Sequence, residues 1–130
     1  MKENSFINSD KIYLFHNNRC SKSSEVKNYL DDNNIIYEVV DYLNILPEKS
    51  FLKTVFLKLE NNFQEMIRVN EKIYKNLNDN EKTHTFKNII NLVMKYPILL
   101  QRPLVSIERN KKIIQSIICR PTELIKSIFS

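Results

Sequence analysis

The sequence predicts an α/β protein: a four-stranded mixed sheet with a block of helices inserted between its two halves. Three features carry that expectation. Lys11-Ile12-Tyr13-Leu14-Phe15 and Ile35-Ile36-Tyr37-Glu38-Val39-Val40-Asp41 are strand-like runs separated by one helical pattern. So short a strand-helix-strand passage implies a right-handed crossover with parallel strands. Leu104 to Glu108 and Lys112 to Ile118 are two further strand-like runs, joined by a turn at Arg109-Asn110. Between the two pairs the apolar residues recur at helical spacing.

Taken in order, Met1 to Asp10 is polar and reads as a flexible lead-in, with residues 11–130 as the folded domain. Lys11 to Phe15 is almost continuously apolar, as expected of a strand buried on both faces. The period then changes. Val26, Tyr29 and Leu30 share one face of a helix over about Ser21 to Asn33, opposite Lys27, Asn28, Asp31 and Asp32. Pro47 suits the first residue of a second helix, whose buried side carries Phe51, Leu52, Val55, Phe56 and Leu59. Helical pieces follow at Phe63 to Ile67, Glu71 to Leu77 and Phe86 to Lys95, the last ended by Tyr96-Pro97 because a residue before proline avoids helical dihedrals. Pro121 and Glu123 open a final helix through Leu124, Ile125, Ile128 and Phe129. This element order is that of a thioredoxin fold whose middle crossover has been enlarged.

Composition narrows the function. The 130 residues predict one domain with a real core. No apolar run approaches the roughly 20 residues of a spanning helix, and the start of the chain lacks a signal peptide's apolar core. Two cysteines 99 positions apart make no disulfide framework, so a reducing cytoplasm is expected. A net charge of +5 could steer an anionic substrate or a nucleic acid, but most of it is lysine scattered over helix faces, so no nucleic-acid partner is expected, and the lack of an apolar run predicts no membrane partner. The chain has no glycine, which leaves its 17 asparagines to take positive-φ turns, Asn33-Asn34 among them. Lysine outnumbers arginine 15 to 5, so each arginine invites a specific reason, such as the planar fork only guanidinium offers to an oxyanion.

The residues that can carry chemistry centre on Cys20. It stands where the first strand turns into the first helix, near unpaired N–H groups and the positive end of the helix dipole, which bias a thiol toward thiolate. Cys119, inside an apolar run, reads as a small buried hydrophobe. Arg19 and Arg109 read as solvated surface charges, and His84 has no partner identifiable from the sequence. No metal-ligand cluster or phosphate-cradling glycine loop is present, so no bound cofactor is expected.

Four segments in one order resemble the glutaredoxin-coupled arsenate reductases: His16-Asn17-Asn18-Arg19-Cys20-Ser21-Lys22-Ser23, Arg68-Val69-Asn70-Glu71 with Tyr74 and Leu77, Tyr96 through Pro103, and Cys119-Arg120-Pro121-Thr122-Glu123. The resemblance implies a thioredoxin-like fold in which Cys20 attacks arsenate, Arg68, Arg102 and Arg120 hold the oxyanion, and Pro103 is the cis-proline facing the thiol. His16 matches the family histidine, as an imidazolium favouring the thiolate or a neutral proton relay. Ser23 matches a family serine that either donates to the thiolate or satisfies helix-end N–H groups. Glutathione as co-substrate and glutaredoxin as reductant are implied as partners, acting on a monomer. Ser23 stands where a Cys-x-x-Cys pair would have its second thiol, so Cys20 needs a thiol from elsewhere. Asn18 stands where the family commonly has proline, which predicts a looser turn before Cys20. Two other readings remain open: an Spx-like regulator that contacts RNA polymerase, and a relative acting on another thiol substrate or without activity.

Overall fold

The computed structural model describes residues 6–129. Its elements are β1 (Lys11–Phe15), α1 (Ser21–Asp32), β2 (Glu38–Val40), α2 (Lys49–Leu57), a 3-10 turn (Phe63–Met66), α3 (Lys72–Lys75), α4 (Phe86–Lys95), a 3-10 turn (Pro97–Leu99), β3 (Leu104–Arg109), β4 (Lys112–Ile118), a 3-10 turn (Thr122–Ile125) and α5 (Lys126–Phe129). The strands form one sheet in the order β2-β1-β3-β4. β1 runs parallel to β2 and antiparallel to β3, and β3 runs antiparallel to β4. This is the mixed α/β, thioredoxin-like architecture expected, with the helical block between β2 and β3.

Alternation along β1 divides the interior into two cores. Tyr13 and Phe15 point to one face, where Leu52, Val55 and Phe56 of α2 and Ile89, Ile90 and Val93 of α4 pack. Ile12 and Leu14 point to the other, against Val26 and Leu30 of α1 and Ile125 and Ile128 near the C-terminus. Helix α4 is capped by Thr85, whose hydroxyl accepts from the Asn88 N–H at 3.2 Å.

Register decides where the site forms. Phe15 pairs with both Val40 and Leu104, and Leu104 with Ile118. The loop after β1, the chain leaving β2, the residues entering β3 and those leaving β4 therefore meet at one end of the sheet. Asparagine replaces glycine at two turns as expected: Asn34 has φ 54° and Asn110 φ 51°, followed by Lys111 at 65°.

Several sequence expectations shift. β2 is only Glu38–Val40, because the Ile35 N–H closes α1 on the Leu30 carbonyl at 2.9 Å and the chain rejoins β1 only at Glu38. Ile36, at 90% exposed, is accordingly outside the sheet. Helix α2 begins at Lys49 with Glu48 as its N-cap, so Pro47 precedes the helix. Residues 1–5 of the expected flexible lead-in, and Ser130 at the other end of the chain, lie outside those described. Residues 6–10 pack onto the domain: the Phe6 ring meets Phe129 edge-on at 4.9 Å, and its N–H donates to the Ile128 carbonyl.

Arg109 is likewise no solvated charge. Its Nε and Nη2 each donate to the Asp10 carboxylate at 2.8 Å, a bidentate pair whose acid side chain is fully buried. His84 also gains a partner, the Tyr74 hydroxyl at 2.8 Å.

Burial disfavours the Asp10 carboxylate, but the hydrogen bond from Arg109, the Ile7 N–H and the charge of Arg109 outweigh it and hold its pKa below the ordinary value. Such a group contributes stability above its unfolded pKa and loses it as pH falls through the folded one. Asp10→Asn should therefore cost roughly 1–3 kcal/mol at pH 7. The gap from the parent should narrow below about pH 4. Thermal melts at pH 7 and pH 3 check this, and an equal gap at both would contradict it.

Candidate active site

Cys20 is the N-cap of α1, in extended conformation at φ −98° and ψ 118°, and its carbonyl accepts the first helical hydrogen bond from the Ser24 N–H at 3.1 Å. The turn that delivers it is organised by Asn17. The Asn17 side-chain oxygen accepts from the Arg19 N–H at 2.9 Å, its carbonyl accepts from the Cys20 N–H at 3.0 Å, and its own N–H donates to Ser23 Oγ at 3.3 Å. This side-chain mimic of a turn ties the loop before Cys20 through three hydrogen bonds of Asn17, with asparagine rather than proline at position 18.

The thiol is half-buried. Burial opposes its ionisation, yet the Ser23 N–H, the Arg102 guanidinium, the Lys22 N–H and the charge of Arg102 together bring its pKa below the ordinary thiol value. Cys119, by contrast, is buried in the second core and its pKa is pushed up to about 12 by burial.

Two arginines meet Cys20 directly. Arg120 Nη2 lies 3.7 Å from its sulfur, and Arg120 Nε donates to the Arg102 carbonyl at 2.6 Å. Arg102 favours the thiolate more strongly, because it is 8% exposed while Arg120 lies open to solvent and its charge is better screened. Arg102 Nη1 donates to the Ile98 carbonyl at 3.4 Å, and the Arg102-Pro103 bond is cis.

Arg68 approaches from the helical block. A bridge between Ile67 and Leu100 lays its segment beside the entry to β3, and its N–H donates to the Leu99 carbonyl at 2.8 Å. Its guanidinium is braced by Glu71 at 3.1 Å and by Gln101 at 2.8 Å. With Glu71, Gln101 and Arg120 it lines a polar cavity of about 310 Å³.

His16 lines a neighbouring cavity with Asn18, Asp41 and Ile98. Its burial lowers its pKa, with Asn18 and Asp41 opposing and Lys27 assisting, so the imidazole is neutral near pH 7. Of the two forms expected for His16, the imidazolium is thereby disfavoured. Ser23 is fully buried; its hydroxyl accepts from Asn17, and it reaches the Cys20 thiolate through its backbone N–H.

Three supporting residues escaped the sequence reading. Asn17 followed two places on by Arg19 is a turn signal, and Glu71 three residues after Arg68 is at helical ion-pair spacing. Gln101 had no local signal. Its oxygen accepts from both Arg68 and the Arg102 N–H, at 2.8 and 3.2 Å.

A model of the ArsC family matches residues 15–128. The arsenate reductase of Neisseria meningitidis serogroup A is 36% identical over 96 residues, spanning 73% of this chain and 82% of its own length. The uncharacterized protein YfgD of Escherichia coli is 33% identical over 96 residues, 73% of this chain and 81% of its own. Among solved structures, the arsenate reductase from Vibrio cholerae superposes with a TM-score of 0.76 at 29% identity, over 92% of this chain and 98% of its own.

The two thiols should differ sharply in reactivity. Cys20 should alkylate with a midpoint below the ~8.5 of an ordinary cysteine, and Cys119 only after denaturation. Iodoacetamide labelling against pH, read by peptide mass, checks both, and a Cys20 midpoint at the ordinary value would contradict the electrostatic account.

Proposed function

The chain belongs to the ArsC family, and from that premise we propose that it is an arsenate reductase that uses Cys20 as nucleophile and glutathione with glutaredoxin as reductant. The observation that carries the reading is the thiol at a helix start with the Arg120 guanidinium 3.7 Å from its sulfur and Arg102 favouring its thiolate. A tetrahedral oxyanion needs several charge-assisted donors, and the same donors activate the thiol. One arrangement thus serves binding and attack.

In the proposed sequence, Arg68, Arg102 and Arg120 hold arsenate while the Cys20 thiolate attacks arsenic. A sulfur–arsenic bond forms, and one oxygen, protonated, leaves as water. Neutral His16 is suited to relay that proton, and the Ser23 N–H steadies the sulfur. A glutathione thiolate then attacks the Cys20 sulfur. The sulfur–arsenic bond breaks with its electron pair on arsenic, reducing arsenic(V) to arsenic(III), and arsenite departs. The Cys20–glutathione disulfide left behind is reduced by glutaredoxin. The external thiol is required because buried Ser23 occupies the place of a local resolving cysteine, which also counts against a Cys-x-x-Cys switch of the Spx kind. Such thiol chemistry suits a reducing cytoplasm. No helix among the described residues is long and apolar enough to cross a membrane.

The test is arsenite production by the purified protein with glutathione and glutaredoxin. Cys20→Ser should abolish it and Cys119→Ser largely spare it. Lysine in place of Arg68, Arg102 or Arg120 keeps charge but loses the fork, and each should lower kcat/KM about ten- to a hundredfold, equivalent to roughly 1.5–3 kcal/mol. Arg109→Lys, at the opposite end of the sheet against Asp10, should lower the melting temperature and leave kcat/KM unchanged. Equal activity in all four lysine variants would contradict the oxyanion assignment, and an inactive Cys119→Ser would require a two-cysteine mechanism instead.

A further inference from the structure

Among the described residues, four buried side-chain atoms capable of hydrogen bonding find no partner within the protein: His16 Nδ1, Tyr42 Oη, Arg102 Nε and Gln115 Oε1. Buried polar atoms are as a rule paired, so each exception asks for a reason. Gln115 lies within β4. The other three belong to the end of the sheet where Cys20 stands. His16 and Arg102 have roles in the proposed chemistry there, whereas Tyr42 has none.

Tyr42 follows β2 by two residues, and Val40 pairs with Phe15, so the phenol departs from the same sheet end as the Cys20 loop. It is fully buried, with its ring 6.1 Å from that of Phe15. Its neighbours Asp41 and Leu43 line the cavity shared by His16 and Ile98, and it is the Ile98 carbonyl that accepts from Arg102 Nη1. Burial raises the pKa of the phenol, Arg102 pulls it back, and the Cys20 thiolate pushes it up again, with Arg68 also opposing. Tyr42 is therefore a neutral hydroxyl that feels the guanidinium groups and the nucleophile together, although it completes no hydrogen bond of normal geometry with any of them. A phenylalanine would fill the same apolar space without burying an unpaired oxygen, which is destabilising.

We propose that Tyr42 is a positioning residue for Arg102: in the oxyanion-bound state the phenol oxygen accepts from Arg102 Nε, and the two orphaned atoms become each other's partner. With Nε held by Tyr42 and Nη1 by Ile98, the orientation of the guanidinium plane is set and Nη2 is left to the oxyanion beside Cys20. This role rests on the oxyanion reading of the site. It gives a reason for a tyrosine inside the first core, since the hydroxyl costs stability in the free protein and is used only when ligand fixes the arginine.

The test is Tyr42→Phe, which removes one oxygen and keeps the ring. Three readouts separate positioning from packing: the thermal melt, the iodoacetamide–pH profile of Cys20, and the arsenate concentration that half-protects Cys20 from alkylation. The melting temperature should be unchanged or higher. The half-protecting arsenate concentration should rise about tenfold. The Cys20 midpoint of the ligand-free protein, set by Arg102 and by Arg120 beside the sulfur, should stay where it is, because the phenol engages Arg102 only when the oxyanion is bound. In an Arg102→Lys background, Tyr42→Phe should add little, since the two changes remove one interaction. Equal protection in Tyr42→Phe and parent overturns the proposal, as does a raised midpoint in the ligand-free protein or full additivity with Arg102→Lys. If arsenate fails to protect Cys20 in the parent, the oxyanion reading falls. The Tyr42 role falls with it, whereas protection in the parent that Tyr42→Phe leaves unchanged overturns the Tyr42 role alone.

Discussion

Guanidinium groups brought to one end of the sheet repel one another, and the structure offsets this by bracing each with an acceptor and by setting Arg102 and Arg120 beside a thiol that gains by becoming an anion. Arg68 rests on Glu71 and Gln101, Arg102 on the Ile98 carbonyl, and Arg120 on the Arg102 carbonyl. Cys20 is the group whose ionisation the field of Arg102 favours. On the proposed reading, the field that lowers the pKa of its thiol would also hold a bound oxyanion, giving activation of the nucleophile and recognition of the substrate one electrostatic origin.

The fold serves that convergence through strand register. Because Phe15, Val40, Leu104 and Ile118 lie across from one another in the sheet, the segments bearing Cys20, Tyr42, Arg102 and Arg120 all begin within a few residues of one row. Arg68 is the exception. It arrives through the inserted helices and is tied in by the Ile67–Leu100 bridge. Enlarging the middle crossover is thus what adds the third guanidinium, and the first core, shared by the sheet with α2 and α4, is what keeps that block in place.

How much of this was legible in the sequence depended on the range of the interaction. Strand and helix order followed from local periodicity, and asparagine took two of the three positive-φ positions of this glycine-free chain, Asn34 and Asn110, with Lys111 taking the third among the described residues. The length of β2 was overread, because β-branched residues at 35 and 36 look like strand until the Ile35 N–H is seen to close α1. The Asp10–Arg109 pair was invisible for the opposite reason: its partners are 99 positions apart, and nothing local distinguishes a buried bidentate arginine from a solvated one. Cys20 and its arginines could be named from motif, and Asn17 and Glu71 carried readable local spacing. Tyr42 looked like one more aromatic beside a strand; only its complete burial with an unpaired oxygen sets it apart.

The central claim is that arsenic becomes bonded to the sulfur of Cys20. Arsenic K-edge X-ray absorption on the protein mixed with arsenate, without glutathione, reads that bond directly. The account predicts a sulfur neighbour in the arsenic shell alongside oxygens, lost in Cys20→Ser and kept in Cys119→Ser. An all-oxygen shell in the parent protein, or a sulfur neighbour that survives Cys20→Ser, would contradict it.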